Sequence, residues 1–400
     1  MNKIILKTTF LLGLLFSVFT LQAQEEFQEE ESTDKPSNIY FGGYLKYLQT
    51  IGFQELNDRW ITDNLIHNRL NFKWYASSQV TVVAEMRNRL FYGETVTLTP
   101  NYADIYTANN NWLDLGGVWW EGESVVGHST LDRAYIDWTF NDWQIRAGRQ
   151  RVNWGQTFAW NPNDIFNNYS LFDFDYEERP GMDGLLVRKY IGMVSSVELA
   201  VAMEESFEDM TIAGMYRFNQ WAYDFQVLAG KMRKDWVVGG GWSGQIGGAG
   251  FKGEASYFYP IEQDSESVEP AVVATMSTDY TFPNTLFVSV EGIFNSGGGD
   301  AMNQNILALG RGETPTPRTL TLNKWSILGQ ASYQINPLVN AGMSSIYFID
   351  DNSAYFTANT NISLSTNTEL LLATQAFVGG EDSQFGQSGV LLFWRLKWSF

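Results

Sequence analysis

The C-terminal segment Val390–Phe400, which reads VLLFWRLKWSF, decides the fold of this chain. Its side chains alternate between two faces with a period of two, which predicts a half-buried β-strand. One face is charged, through Arg395 and Lys397. The other face is apolar and holds Val390, Leu392, Trp394, Leu396, Trp398 and Phe400. In a wall of such strands the apolar face requires lipid and the charged face requires water, so the segment predicts a barrel with a wet lumen.

The opposite end of the chain has the pattern of an export signal. Lys3 and Lys7 are followed by an apolar run over Phe10–Thr20 and by a small-residue cleavage site at Ala23. The run is short for a membrane helix of about 20 residues, and an acidic stretch follows it. We therefore predict a signal peptide over 1–23, an acidic periplasmic tail over 24–38 and an outer-membrane barrel over 39–400. No later apolar stretch is long enough for a spanning helix. The other structure that satisfies all backbone hydrogen bonds in lipid is a closed barrel.

The composition excludes several classes of function. The 400 residues include 26 Lys and Arg and 45 Asp and Glu; removing the signal takes away two lysines and no acid, which leaves 24 against 45, a net charge of −21. Such acidity argues against a nucleic-acid partner, because nucleic acids bind basic surfaces. The absence of cysteine excludes disulfides, thiolate metal sites and cysteine nucleophiles.

About eighteen segments with the same alternation follow one another, although the weak signal of single strands also allows about sixteen. Short connections such as Ala76–Ser78, Asn141-Asp142 and Asn219-Gln220 interleave with long ones over 93–130, 153–181 and 295–322. Tryptophans are expected at strand ends, where an aromatic girdle belongs: Trp74, Trp138, Trp143, Trp221, Trp325 and Trp398. The predicted fold is all-β, a transmembrane antiparallel up-and-down barrel; the alternative is a soluble β-sandwich or propeller.

The inner wall is predicted from the polar parity of four consecutive strands. It is rich in cations, and the residues predicted to line the pore are Arg69, Lys73, Arg87, Arg89, Arg133, Tyr135 and Arg146. Rings of arginine select for anions, and the guanidinium fork suits carboxylate or phosphate. The alternative is that the arginines only pair with Glu85, Asp132 and Asp137, which would give a screened, unselective pore.

The third long loop, 153–181, is predicted to form a constriction inside the barrel. Its acids are Asp164, Asp173, Asp175, Glu177 and Glu178. Opposite an arginine wall they would create a transverse field, although the loop could equally stay outside. The loop 93–130 is also acidic and is expected to stay solvated or to approach lipopolysaccharide through divalent cations. No metal site and no cofactor is predicted.

One stretch resembles a known family. Gly148–Gly155 reads GRQRVNWG and Asn161–Asp164 reads NPND. Together they resemble the G-R-Q-x-V-x-W-G … N-P-x-D motif of a porin-like outer-membrane family of unassigned function, akin to the alginate-export and phosphate-selective porins. Phe400 likewise resembles the terminal residue of Gram-negative outer-membrane barrels. The resemblance implies passive or facilitated transport and no particular solute. Its motif positions are Gly148, Arg149, Gln150, Trp154, Gly155, Asn161, Pro162 and Asp164, which either anchor the loop or contact solute.

An enzyme is not predicted. The chain has two histidines, His67 on a strand and His128 at the end of a loop, and the sequence places neither in a catalytic triad. The predicted function is an outer-membrane channel for small polar or anionic solutes. The alternative is a non-conducting structural or assembly barrel whose external loops dock a partner protein or a surface glycan. The expected partners are outer-membrane lipid and lipopolysaccharide, the barrel-assembly machinery through the C-terminal strand, and the solute; homo-oligomerisation stays open.

Overall fold

The structure is a computed structural model. It describes residues 38–400 except 58, 108–110, 167–180, 262–268, 300–315, 382, 384 and 386–387. The predicted signal peptide and residues 24–37 of the predicted tail therefore lie outside the described residues, as do the loop acids Asp173, Asp175, Glu177 and Glu178.

Long antiparallel strands make up most of the described chain. They are β1 (Ile39–Phe53), β2 (Ile61–Tyr75), β3 (Val80–Gly93), β4 (Gly116–Gly122), β5 (Val125–Phe140), β6 (Trp143–Gln150), β7 (Met182–Ile191), β8 (Ser195–Ala202), β9 (Thr211–Gln220), β10 (Tyr223–Met232), β11 (Asp235–Ile246), β12 (Ala249–Pro260), β13 (Ala271–Thr281), β14 (Phe287–Asn295), β15 (Trp325–Asn336), β16 (Val339–Phe348), β17 (Ser353–Ser365), β18 (Thr368–Val378) and β19 (Val390–Ser399). Two short helices, α1 (Glu94–Leu98) and α2 (Tyr102–Thr107), lie between β3 and β4. Within the described residues no helix is long and apolar enough to cross a membrane.

The sheet closes on itself. Each strand pairs with its neighbours in the chain, except that β3 pairs with β5, and β1 also pairs with β19, where Lys46 lies opposite Lys397. Without β4, the described strands form a closed antiparallel barrel of 18 strands. The predicted fold class and strand number are confirmed. Closure leaves no unpaired sheet edge, which is the condition for a β-structure surrounded by lipid.

The two ends of the barrel differ in the length of their connections. The short turns and both ends of the barrel chain, Ile39 and Ser399, lie at one end, here called the turn end. The strands β3, β6 and β14, which precede the long connections, end at the other, the loop end. One predicted turn is displaced by two residues. Asn219 and Gln220 extend the ladder, and the turn is made by Trp221 and Ala222, whose φ angles are 54° and 62°. These are the positive angles that a two-residue hairpin turn requires.

The wall alternates as predicted, with polar or small side chains inward and apolar ones outward. On β13, Thr275 and Ser277 are buried, whereas Val272 and Met276 are exposed outside. Five of the six tryptophans predicted for the girdle, namely Trp74, Trp138, Trp143, Trp325 and Trp398, lie exposed at the ends of strands, while Trp221 lies in the turn. This outer surface has the chemistry expected of lipid contact.

The connection over 93–130 is not simply a solvated loop. β6 pairs with β5 only over Ala134–Phe140, and β4 pairs with β5 over Val125–Thr130. β4 therefore occupies the place beside β5 that β6 leaves vacant. Trp119 covers Gly127 on the outer face, since a β-carbon there would lie 2.7 Å from the indole ring. The acidic composition of this stretch concealed the strand, whose apolar residues are concentrated in Val118–Trp120.

Candidate functional site

A segment of the chain lies inside the barrel. After β6 ends at Gln150, residues Arg151–Phe166, here called the lumen segment, lie inside the barrel, and Trp154 and Trp160 are each only 1% exposed. This is the described part of the loop that was predicted to form a constriction. Its acid Asp164 is buried at 1% exposure, whereas the other four predicted acids fall outside the described residues. The predicted transverse field between loop acids and arginines therefore stays a prediction.

Side chains fasten the start of the lumen segment to the wall beside it. The indole nitrogen of Trp154 donates to Glu198 Oε2 on β8 over 3.1 Å. The side-chain amide of Gln226 on β10 donates to the carbonyl of Trp154 over 2.6 Å. Further along, the Asn163 side-chain amide donates to the carbonyl of Gly240 on β11 over 3.0 Å. The segment thus follows the inner wall strand by strand.

Two wall carboxylates accept backbone hydrogen bonds from the centre of the segment. Glu254 on β12 accepts the N–H groups of Gln156, Thr157 (2.8 Å) and Asn163 (3.1 Å). Glu291 on β14 accepts the N–H groups of three consecutive residues, Phe158 (2.9 Å), Ala159 (3.2 Å) and Trp160 (2.7 Å). Both carboxylates are buried, at 1% and 0% exposure. Hydrogen bonds to an ionised acceptor are about twice as strong as neutral ones.

The contact with β14 shows how far the segment reaches. β14 lies eight ladder steps from β6 around a ring of 18 strands, so it is almost diametrically opposite. Phe158 stands at this far side, where the Lys252 ammonium lies 4.0 Å from its ring centroid and Phe287 packs edge-on at 6.0 Å. The lumen segment therefore extends along the inner wall from β6 as far as β14 and occupies part of the barrel interior.

Residues of the motif build this arrangement. Gly148 has φ of +116°, and a β-carbon there would lie 2.2 Å from the carbonyl oxygen of Ala134. The side-chain amide of Gln150 donates to the carbonyls of Arg146 (2.9 Å) and Gly184 (3.2 Å). A β-carbon at Gly155 would lie 2.3 Å from Asn161 Oδ1, so these two motif positions are in direct contact.

Arg149 has a different place from the predicted pore-lining arginines. It has the parity of the outward residues, opposite Ala134, and forms a buried ion pair with Asp183 of β7 at 2.7 Å. The same guanidinium donates to the carbonyl of Leu113, and the Leu113 N–H donates to Asp183 over 2.8 Å. Arg149 therefore ties β6 and β7 to the segment leading into β4. These contacts support the anchoring interpretation of the motif.

The predicted arginine wall is present on the inner face but is largely covered. Arg69 contacts Glu85 (2.5 Å) and Asp132 (2.6 Å), and Arg87 contacts Asp132 (2.9 Å). Arg69, Arg87 and Arg133 are only 2%, 9% and 9% exposed. In the ladder between β3 and β5, Glu85 pairs with Arg133 and the next residue, Met86, pairs with Leu131. Asp132 has no partner in this ladder and is therefore an extra residue in β5. This bulge lets the neighbouring residues Asp132 and Arg133 both be buried.

The remaining predicted pore residues are more accessible. Arg146 keeps 23% of its side-chain exposure while donating to Asp137 through Nε at 2.8 Å and Nη2 at 2.5 Å. Its guanidinium lies 4.8 Å from the ring centroid of Tyr135. Arg89, Lys73 and Tyr135 are likewise half-buried on the inner face. These are the predicted residues that a solute in the lumen could reach.

A row of basic residues extends beyond the predicted set. Directly paired positions on β19, β1, β2, β3 and β5 are, in order, Lys397, Lys46, His67, Arg89 and His128. We call these five residues the basic row. The sequence analysis missed Lys46 entirely and did not connect Lys397 with the others, because β1 and β19 become neighbours only when the barrel closes. The signal was present in the alternation of β1, where Tyr44, Lys46 and Leu48 are all buried on one face.

His128 and the serine that follows it lie on opposite faces of β5. His128 is buried in the basic row, whereas the next residue, Ser129, donates its hydroxyl to Asn88 over 2.6 Å on the outer parity. Across the described residues no group of three or more His, Asp or Glu could hold a metal ion.

The loop end is partly covered by the two helices. Val96, Tyr102 and Ala103 pack with Phe91 and Val126 in a buried apolar cluster. Glu94 at the start of α1 accepts from Arg59 and from the Thr62 N–H (3.0 Å). The hydrogen bond from Arg59 holds the pKa of Glu94 below its usual value. These contacts fix the helices over one side of the mouth.

The comparisons with known proteins concern the fold. No protein-family model matches the chain, and no curated protein matches its sequence. Solved structures do match. They include OccAB4 of Acinetobacter baumannii (10% identity, TM-score 0.58, 92% of this chain and 100% of that chain) and the outer membrane protein OprD of Pseudomonas aeruginosa (8%, 0.55, 92% and 95%). Pseudomonas aeruginosa OpdK, crystallised with vanillate, also matches (7%, 0.55, 90% and 98%).

The motif and the likeness to alginate-export and phosphate-selective porins are outside these matches and stay predictions. At such low identity the matches establish the architecture. The chain has the closed 18-stranded antiparallel barrel fold of these porins.

Proposed function

We propose that this protein is an outer-membrane channel for the passive or facilitated diffusion of small polar or anionic solutes. The observation that carries the proposal is the basic row, in which the cations Lys397, Lys46 and Arg89 occupy directly paired positions with His67 and His128 on five adjacent strands of the inner wall. Cations on the wall of a narrow lumen favour anions.

Charge on this part of the wall supports the same solute class. On β19, β1, β2, β3 and β5, eight Lys and Arg stand on the inward parity against four carboxylates. The cations are Lys46, Arg69, Lys73, Arg87, Arg89, Arg133, Arg395 and Lys397; the carboxylates are Asp63, Glu85, Asp132 and Asp137. In a low-dielectric wall such an excess attracts anions over several ångströms. The arginine-lined lumen is thereby assigned to one side of the barrel.

The partly exposed cations are the groups we assign to solute contact. Lys73, Arg89 and Arg146 are half-buried on the inner face, whereas Arg69, Arg87 and Arg133 are covered and act through the potential they set and through their ion pairs. An arginine fork suits a carboxylate or phosphate better than a neutral solute. Vanillate, with which the similar OpdK was crystallised, carries a carboxylate.

The location and partners follow from the same proposal. The export signal over 1–23 would bring the chain to the outer membrane, where the apolar outer wall contacts lipid and lipopolysaccharide. Strand β19, with its terminal aromatic residue, would present the chain to the barrel-assembly machinery. Both ends of the barrel chain would then lie on the periplasmic side, with the long connections outside.

The test is the salt-gradient reversal potential of single channels of the refolded protein. Anion preference is expected, and it is expected to fall in the variant Lys73→Ala/Arg89→Ala/Arg146→Ala. Lys189→Ala is the matched control, because Lys189 is exposed on the outer parity of β7 beside Trp143. Cation preference in the parent protein, or a reversal potential unchanged in the triple variant, would contradict the proposal.

A second candidate is the non-conducting barrel whose loops dock a partner protein or a surface glycan. The filling of the lumen by Trp154, Trp160 and their neighbours favours it. Absence of conductance from a correctly folded barrel, together with co-purification of a partner lost on deletion of an external loop, would support this alternative.

A further inference from the structure

Glu254 and Glu291 share an arrangement that the proposed transport role does not by itself require. Each is an acid on the inner face of a strand far from β6, and each accepts three backbone N–H groups of the lumen segment. Buried N–H groups need acceptors, and in this stretch the wall carboxylates supply them.

We propose that Glu254 and Glu291 are positioning residues which hold the lumen segment against the inner wall far from β6 and thereby set the size of the pore. The inference rests on the proposed channel function, but its structural part can be tested separately. Glu254 fixes both flanks of the central turn, through Gln156 and Thr157 before it and Asn163 after it. Glu291 fixes the tip at Phe158–Trp160. Together they hold the segment at the two points farthest from its origin in β6.

The sequence order of the contacts supports a positioning role. The residues that Glu291 holds, Phe158 to Trp160, lie between the two groups that Glu254 holds. Loss of Glu291 would therefore release the tip of the segment, and loss of Glu254 would release the two flanks of that tip. The weaker side-chain contact between the hydroxyls of Thr157 and Thr275, at 3.4 Å, would remain as the neighbouring link to the wall.

Glutamine is the informative substitution. It keeps the size of the glutamate side chain but replaces one acceptor oxygen with an NH₂ donor, which would face N–H donors of the segment. In both carboxylates the two oxygens each accept from the segment, so neither orientation of the amide satisfies all three N–H groups. The matched control is Glu369→Gln, since Glu369 is exposed on the inward parity of β18.

The absence of native cysteine permits a direct measurement of the segment's position. Thr157→Cys/Thr275→Cys places two thiols where hydroxyl oxygens now lie 3.4 Å apart, and oxidation would lock the segment to β13. In this background Glu254→Gln and Glu291→Gln are expected to lower the yield of the disulfide under mild oxidation. They are also expected to raise conductance of the reduced channel about twofold or more, because an open cross-section admits more ions.

Locking the segment with the disulfide should restore the conductance of the glutamine variants. A variant that had lost its structure in general would not show this recovery. Barrels that have folded, judged by heat-modifiable gel mobility, should regain the parent conductance once fully oxidised. Parent-like disulfide yield and parent-like conductance in both glutamine variants would overturn the inference. If the parent protein does not conduct, the channel proposal fails, and the disulfide yields alone then decide whether the two glutamates position the segment.

Discussion

The guanidinium of Arg149 and the carboxylate of Asp183 face each other through two hydrogen bonds, Nε to Oδ1 at 2.7 Å and Nη2 to Oδ2 at 2.8 Å. Both side chains are 3% exposed, although both stand on the outward parity of their strands. The segment before β4 closes over them through Leu113. An ion pair on the outward parity is thus shielded by the segment that leads into β4.

Replacing Asp183 by alanine should destabilise the barrel strongly. The change leaves the Arg149 charge buried without its acid, which typically costs about 3–5 kcal/mol in the free energy of unfolding. Urea unfolding in detergent micelles measures the loss. The control is Glu204→Ala, whose partner Arg233 is 41% exposed, and an exposed pair contributes about 0–1 kcal/mol. Equal losses from the two variants would contradict the buried role of the Arg149–Asp183 pair.

Gly148→Ala should impair folding of the motif. Its φ of +116° disfavours any side chain, and the new methyl group would lie 2.2 Å from a backbone oxygen. Backbone strain of this kind costs about 1–3 kcal/mol before the steric clash is added. Gly329→Ala on β15 is the control, since a β-carbon there meets nothing within 4 Å. Refolding yields of the two variants in the same detergent make the comparison, and a well-folded Gly148→Ala barrel would refute it.

Four of the five arginines predicted to line the pore, Arg69, Arg87, Arg133 and Arg146, should behave as two groups. Arg146→Ala should lower anion preference in a stable barrel, because its side chain is partly open to the lumen. Arg69→Ala should also reduce stability, since it leaves Asp132 and Glu85 with less compensation in a buried site. Reversal potential and urea unfolding, measured on both variants, separate the effects. Arg87 and Arg133 are expected to follow Arg69; equal stability of all four variants would contradict the division.

Anion preference should weaken with salt. The Debye length falls from about 10 Å at 0.1 M to about 3 Å at 1 M, so a potential set by buried cations reaches less of the lumen. The permeability ratio of anion to cation, obtained from reversal potentials at a fixed gradient and rising mean concentration, should approach unity. A ratio independent of salt would indicate selection by direct binding or by size instead of by the potential of the wall.

Much of the barrel could be predicted because strand alternation is local. In β19 the apolar and charged residues separate by parity, and the structure places Leu392 and Leu396 outside and Phe393 and Arg395 inside. The same rule yields the inward position of Arg69 and Arg87. The alternation rule failed at two places. At the β5 bulge Asp132 is an extra residue that interrupts the period, and Arg149 keeps outward parity yet is buried.

The sequence by itself determined the all-β class, the closure of the barrel and the sidedness of its wall, since these follow from a period of two and from the need to satisfy every backbone group in lipid; it predicted about 18 strands and also allowed 16. Only the tertiary structure decided which distant residues meet. Lys46 and Lys397 become neighbours through closure, and Glu291 reaches the N–H groups of Phe158–Trp160 because the lumen segment extends along the inner wall as far as β14. Neither contact leaves a periodic trace in the chain, because both depend on how the ends of the sheet and the path of one loop are arranged in space.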